Sequence, residues 1–471
     1  MRLNIAAFLV IFFCSTVSIF AQTKKEKLES SFNQLLNDPQ VKYALASFCV
    51  LNAETGEIVY AKNENIGLAT ASTLKTIVAA TAYHILGKDY TYKTTLSYSG
   101  SISADGTLNG DIYIQGSGDP SLGSWRYEQT KESVVLKNFI SAINAAGIKS
   151  IKGRIIGDAS KWPTQSTPEG WIWSDIGNYY GASATGLNWR ENQFDIKLLP
   201  GSKSGDPVKV LKTVPENSYL KIHNELTTGA AGTGDNAYVY LAPYTNEGYM
   251  RGTWGIGITK SAISASIPDP AFEAAFRLQD TLSKLNITVS EAPTTTRLLM
   301  QEGKKLPSTL NLITTHSSPK LSDLAYWYLN KSINLYGEAF IKTIAAEKGK
   351  VANTKNGATE LIKFWKNKGY DENALNIIDG SGLAPANRVT TLAMAKILFE
   401  VQKESWYSDF IKGFPTNNGM KLKSGNISDV QGYAGYHTDA QGKKFVVVIN
   451  VNNYNGSGIS RKIFQALNAL K

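Results

Sequence analysis

Ala69-Thr70-Ala71-Ser72-Thr73-Leu74-Lys75 is the stretch from which the rest of this chain is read. It opens a run from Ala71 to Leu86 with no Gly or Pro, closed by Gly87, which predicts a helix with Ser72 at its start. Ser72 and Lys75 stand three apart and so share one helical face. A serine hydroxyl is a weak nucleophile until a base takes its proton. A lysine is such a base once desolvation or a neighbouring cation lowers its pKa. The helix N-terminus adds positive potential and free N–H groups for a developing oxyanion.

Two further short motifs lie downstream. Ser332-Ile333-Asn334 precedes a helical pattern over Leu335–Lys348, and Lys423-Ser424-Gly425 sits in a strand-like run before two more strands. On an edge strand, Lys423 and Ser424 present an ammonium and a hydroxyl to a carboxylate, while Gly425 permits close backbone approach. Each motif also recurs elsewhere. Ser317-Ser318-Pro319-Lys320 repeats the first, but its Pro breaks a regular helical turn. Ser-x-Asn recurs at Ser31 and Ser424, and Lys203-Ser204-Gly205 runs into Asp206-Pro207, a loop. Only the set at 72, 332 and 423 gives every motif a consistent setting. Order and setting point to serine acyl transfer without a histidine.

The histidines offer no competing chemistry. His84, His223, His316 and His437 show no metal-ligand spacing, and no Gly-x-Ser-x-Gly elbow occurs, so neither metal nor cofactor is expected. Gly229 to Gly234 lacks the dinucleotide-binding spacing.

The chain has 471 residues, enough for two or three domains, with 42% hydrophobic and 19% charged residues, a globular composition. Net charge is +10. The basic residues are scattered and accompany no zinc-knuckle or ribonucleoprotein motif, which argues against nucleic acid. An anionic wall polymer or a peripheral membrane contact is left open by the charge. Residues 1–21 read as an export signal: Arg2, an uncharged apolar run from Ile5 to Cys14, and a cleavage region ending at Ala21. An uncleaved anchor is the alternative. Either places the protein outside the cytoplasm, in the periplasm or the wider cell envelope. Cys14 leaves with the signal, and Cys49, in an apolar strand pattern, is expected to be a buried structural thiol.

Strand patterns at Val41–Leu51 and Glu57–Ala61 and helical ones past Leu321 flank a middle region dominated by Gly, Ser, Thr and short strand-like runs. This predicts an α/β domain built from both chain ends, with a β-rich insertion of about 210 residues, long enough for two pieces.

At its three motifs the chain resembles the penicillin-recognising serine acyltransferases. More narrowly it is similar to the D-alanyl-D-alanine carboxypeptidase/endopeptidase family, class C penicillin-binding proteins of peptidase family S13, the penicillin-binding protein 4 type. Further matching stretches are Gln115-Gly116-Ser117-Gly118-Asp119-Pro120, Ile155-Ile156-Gly157-Asp158, Gly170-Trp171, Asn334-Leu335-Tyr336-Gly337-Glu338 and Asp379-Gly380-Ser381-Gly382-Leu383. The interval of roughly 260 residues between Ser72 and Ser332 marks the same family, whereas β-lactamases share the motifs but lack the insertion.

The resemblance implies a transpeptidase/β-lactamase-like domain, with an antiparallel sheet and flanking helices, interrupted by two nested β-rich inserts. The expected division is 22–95 with 310–471 for the catalytic domain, 96–175 with 266–309 for one insert, and 176–265 for the other. It implies a hydrolase acting on peptidoglycan stem peptides and acylated by β-lactams. Ser72 would be the nucleophile, Lys75 its base and Ser332 the proton relay. Asn334 would bind the substrate amide, and Lys423 and Ser424 its terminal carboxylate. Beside Gly425, the Asn426 N–H would join that of Ser72 in the oxyanion hole. Asp158 matches the insert aspartate of the side-chain pocket. Two departures stand out: Ala384-Pro385 replace the Ser-Arg that many relatives carry, and Asn426 stands where Thr is commoner. The motifs do not separate carboxypeptidase from cross-link endopeptidase, and a non-catalytic wall-binding or β-lactam-sensing module would keep the same fold.

Overall fold

A computed structural model describes residues 23–471. The expected export signal lies outside the described residues.

The central element is a six-stranded antiparallel sheet made from both ends of the chain. Its strands run in the order Ile58–Lys62, Leu45–Asn52, Lys444–Asn452, Val430–Thr438, Met420–Ile427 and Thr416–Asn417. Phe445 to Val451 are all buried, without polar alternation, because helices cover both faces of the sheet. On one face, Phe32 of the helix Lys24–Leu36 and Ile463 of the helix Ile459–Leu467 pack with Phe48 and Ile449. On the other lie the helices Lys75–Leu86, Leu321–Asn330, Asn334–Glu347 and Thr391–Val401, with Ile77, Tyr328, Phe340 and Leu398 among the core. Cys49 is fully buried in this core and its thiol is pushed up to about 12 by burial.

The insertion contains two further layers. A five-stranded sheet, in the order Thr294–Thr295, Ile155–Asp158, Ile112–Gln115, Lys93–Tyr98 and Asn311–Ser317, packs on the helices Glu132–Ala145 and Pro270–Lys284. Beyond it, Gln193–Leu199 pairs with Lys209–Val214 and Ala262–Ser266. Asp235–Tyr240 and Glu247–Gly255 form a second small sheet over the same core of Phe194, Val239 and Trp254. Lys93–Tyr98 pairs with Asn311–Ser317, so this layer begins before residue 96 and ends after 309. The segment 159–192 does not follow the texture of the insertion either. Trp162 and Ala184 enter the main core, and buried Lys342 donates to Ser166 O (2.6 Å) and Ala184 O (2.7 Å). The change in composition marks where strands become common, not which layer they join.

Candidate active site

The predicted helix starts as a 3₁₀ turn, Ala71–Leu74, and turns α-helical at Lys75. Ala71 has φ +44°, a left-handed conformation that costs a non-glycine residue roughly 1–2 kcal/mol and sets the entry angle of Ser72. Ser332 is left-handed as well, at φ +58°. The two serine motifs thus each carry backbone strain, which tertiary packing must hold in place.

Lys75 is completely buried. Its Nζ contacts Ser72 Oγ at 2.8 Å, Asn334 Oδ1 at 2.7 Å and Ser381 O at 2.5 Å. Asn334 Nδ2 donates to Tyr180 O (2.7 Å), which orients Oδ1 toward the lysine. Burial, aided by the positive charge of Lys423, drives the Lys75 pKa well below its ordinary value, and Asp379 and Glu338 oppose the shift. A neutral amine has two N–H bonds and one lone pair. Asn334 Oδ1 and Ser381 O only accept, so they take the two N–H bonds and the lone pair faces the Ser72 hydroxyl. The hydrogen-bond inventory alone orients the base.

Lys423 and Gly425 stand where Met420–Ile427 has run past its short outer partner, leaving this part of the strand an open edge. Lys423 is buried, its pKa pushed down to about 7 by desolvation, and its Nζ donates to Ser424 O at 2.7 Å. Gly425 lies against the nucleophile turn: a Cβ there would meet Thr70 O at 2.7 Å, Thr73 N at 2.8 Å and Ser72 N at 2.9 Å. The Asn426 side chain turns back along its hairpin and donates to Gln431 Oε1 (2.9 Å).

These elements wall a cleft of about 720 Å³ lined by Ser72, Ser332, Asn334 and Asn426; Lys75 and Gly425 lie directly behind Ser72, and Lys423 and Ser424 are not part of the lining. Ser332 reaches the cleft but hydrogen-bonds neither lysine among the described residues. Asp158 does not converge. It ends the strand Ile155–Asp158, held by Gln115 Nε2 (3.2 Å) and Ser160 N (3.0 Å), outside the cleft lining. The aspartate of the insertion that does line the cleft is Asp175, whose pKa is raised by burial; Asp429, from the chain's C-terminal part, lines it too. Arg388, the basic residue closest in sequence after Pro385, is exposed and pairs in a small sheet with Ala69, away from the cleft lining.

Three supports were not foreseen. The buried Asp379 carboxylate accepts from Trp171 Nε1 (2.9 Å), Ser381 N (3.1 Å), Gly382 N (2.6 Å) and Ala384 N (2.8 Å), folding the loop that aims Ser381 O at Lys75. Glu338, one helical turn beyond Asn334, accepts from Gly380 N at 2.9 Å, and burial together with the nearby Asp379 raises its pKa. On the cleft wall, Arg126 makes a forked pair with Glu191, Nε to Oε1 at 2.7 Å and Nη2 to Oε2 at 3.1 Å. Glu191 sits in three consecutive left-handed residues, Arg190 to Asn192 (φ +54°, +53° and +51°). The repeated motif copies lie elsewhere: Ser318 Oγ accepts from Tyr92 N, and Lys203-Ser204-Gly205 is an exposed turn. Among the described residues no cluster of His, Cys, Asp and Glu is arranged to hold a metal ion.

The family model described as the D-Ala-D-Ala carboxypeptidase 3 (S13) family matches residues 28–471. The chain belongs to this family. S13 relatives include a D-alanyl-D-alanine carboxypeptidase of Actinomadura sp., 22% identical over 91% of this chain and 82% of its own length. D-alanyl-D-alanine carboxypeptidase DacB of Haemophilus influenzae is 23% identical over 89% of this chain and 88% of its own. The fold matches the crystal structure of penicillin binding protein 4 from Haemophilus influenzae with a TM-score of 0.78, at 20% identity, covering 94% of this chain and 98% of that one. The same protein complexed with a β-lactam matches with a TM-score of 0.72. The expected α/β architecture and the S13 resemblance both stand.

Proposed function

We propose that this S13 chain is a serine D-alanyl-D-alanine peptidase of the cell wall, acting on peptidoglycan stem peptides through an acyl-enzyme at Ser72. The observation that carries the reading is the placement of Lys75 Nζ, buried and aimed at Ser72 Oγ by two obligate acceptors. Lys75 takes the hydroxyl proton as Ser72 Oγ attacks the carbonyl between two D-alanines. The backbone N–H groups of Ser72 and Asn426 receive the oxyanion. Lys423 and Ser424 bind the terminal carboxylate, and Ser332 passes the proton to the leaving amine. Water then attacks the acyl carbonyl and frees Ser72. Asn334 is first a support for Lys75, since Oδ1 and Nδ2 are both engaged within the protein.

A β-lactam presents an equivalent amide carbonyl, strained by its four-membered ring, beside a carboxylate, and it acylates Ser72 without rapid release. An exported, extracytoplasmic protein fits this substrate and the apolar residues 5–14. No helix among the described residues is long and apolar enough to cross a membrane. The test is mass spectrometry after incubation with a labelled penicillin. A covalent adduct on the peptide containing Ser72, absent in Ser72→Ala, is expected; labelling elsewhere or not at all refutes the mechanism.

A further inference from the structure

Of the nine tryptophans only Trp125 and Trp173 are exposed, and both adjoin cleft-lining residues in sequence without lining the cleft themselves, Trp125 next to Arg126 and Trp173 next to Ile172. From Trp173 an aromatic surface continues outward. Tyr179 and Tyr238 are half exposed at the cleft mouth. The Tyr240 ring lies 6.0 Å from that of Trp173. Strand alternation puts Tyr238 and Tyr240 on one face of the outer sheet, and Tyr249 is the register partner of Tyr240. His223 stacks on Tyr249 at 5.0 Å. Arg251 lies 5.7 Å from the Tyr240 ring and 5.0 Å from the Tyr249 ring, holding both before any ligand arrives.

Serine acyl transfer uses none of these rings. The charges among them are paired: Arg251 with Glu225, and Lys221 and His223 with Glu247. The face is therefore aromatic and close to neutral. It offers no free cations to a polyanion, but its flat apolar rings with hydroxyl tips suit sugar rings. Its continuity with the cleft says which sugars these are.

We propose that this surface binds the glycan of the polymer whose peptides enter the cleft, a strand of N-acetylated amino sugars laid from Tyr238 past Trp173 and Tyr240 toward Tyr249. The identity of that polymer rests on the reading given under Proposed function. The test compares the parent with Trp173→Ala and Tyr249→Ala, neither of which lines the cleft, and with Trp173→Phe. Calorimetry measures binding of peptidoglycan glycan strands stripped of peptide by an amidase, and a soluble peptide ending in D-Ala-D-Ala measures hydrolysis. Each Ala variant should bind stripped glycan roughly 3- to 10-fold more weakly, and Trp173→Phe should recover most of the loss. Hydrolysis of the soluble peptide should stay within about twofold. Equal glycan affinity in the parent and both Ala variants overturns the proposal. So does binding that vanishes with salt yet ignores the rings, which would assign the face to a charged partner. If the parent releases no D-alanine while glycan binding still depends on the rings, the acyl-transfer reading fails and the glycan surface stands.

Discussion

Gly425→Ala should disable the enzyme without touching a reactive atom. The added Cβ would meet three backbone atoms, Thr70 O at 2.7 Å, Thr73 N at 2.8 Å and Ser72 N at 2.9 Å, against an ordinary contact limit of 3.4 Å. Relief needs a displacement of about 0.5–0.7 Å between the strand and the nucleophile turn (3.4 − 2.9 and 3.4 − 2.7). No flexible side-chain end is available to yield, because all three atoms belong to the turn that carries Ser72. A misplacement approaching 1 Å costs on the order of 100-fold in rate, and overpacking costs about 1–3 kcal/mol of stability. The second-order rate of β-lactam acylation should therefore fall roughly 10- to 100-fold, with a drop of a few degrees in the unfolding midpoint. Stopped-flow acylation and calorimetry measure the two quantities. Acylation within twofold of the parent would refute the claim that close strand-to-turn contact sets the nucleophile.

Two substitutions should move the pH dependence of acylation in opposite directions. The ascending limb reports loss of the Lys75 proton, and Lys423 lowers that pKa while Asp379 raises it. Lys423→Gln should shift the limb to higher pH, and Asp379→Asn to lower pH; pre-steady-state rates across pH 5–9, roughly the range in which His and perturbed amines titrate, decide. Lys423 also makes stability pH-dependent. With its pKa lowered from 10.5 to about 7, the folded chain binds fewer protons than the unfolded chain between those values. Stability rises with pH across that window, by on the order of 5 kcal/mol for this group, and Lys423→Met should flatten the slope in denaturant titrations. Trp171→Phe removes one of four donors to Asp379 and should cost about 1–2 kcal/mol of stability, with acylation slowed while the affinity for the carboxylate end is kept; unchanged kinetics and stability would sever Trp171 from the site.

The sequence made the reacting side chains legible because each has a distinctive identity and a fixed local setting. Ser72 and Lys75 share a helical turn, and Lys423 to Gly425 sit on a strand. The partners that aim them were hidden where the acceptor is a backbone oxygen: Ser381 O and Tyr180 O belong to residues whose side chains do not announce the role. Asp158 and Asp175 show the same limit. Both are acids of the insertion, and which one faces the cleft depends on where the strand Ile155–Asp158 ends in three dimensions. The helix Glu132–Ala145 was recoverable from the spacing of Val135, Leu136, Phe139, Ile140 and Ile143, but the surrounding Gly- and Ser-rich strands masked it.

The segment 159–192 gives the insertion a stake in the chemistry. A compact catalytic domain built only from the chain ends would contain Ser72, Lys75, Ser332 and Lys423, yet it would lack Tyr180 O, Trp171 Nε1 and the carbonyls that hold Lys342. Without Tyr180 O the Asn334 amide loses its anchor and is free to turn its Nδ2 toward Lys75. A donor facing Lys75 at that point competes for the amine lone pair, which then no longer points at Ser72. A neutral base is useful only if its lone pair has one direction, and here that direction depends on a carbonyl roughly 105 residues downstream of the lysine in sequence. Burial drives the Lys75 pKa down, and the insertion gives its lone pair one direction.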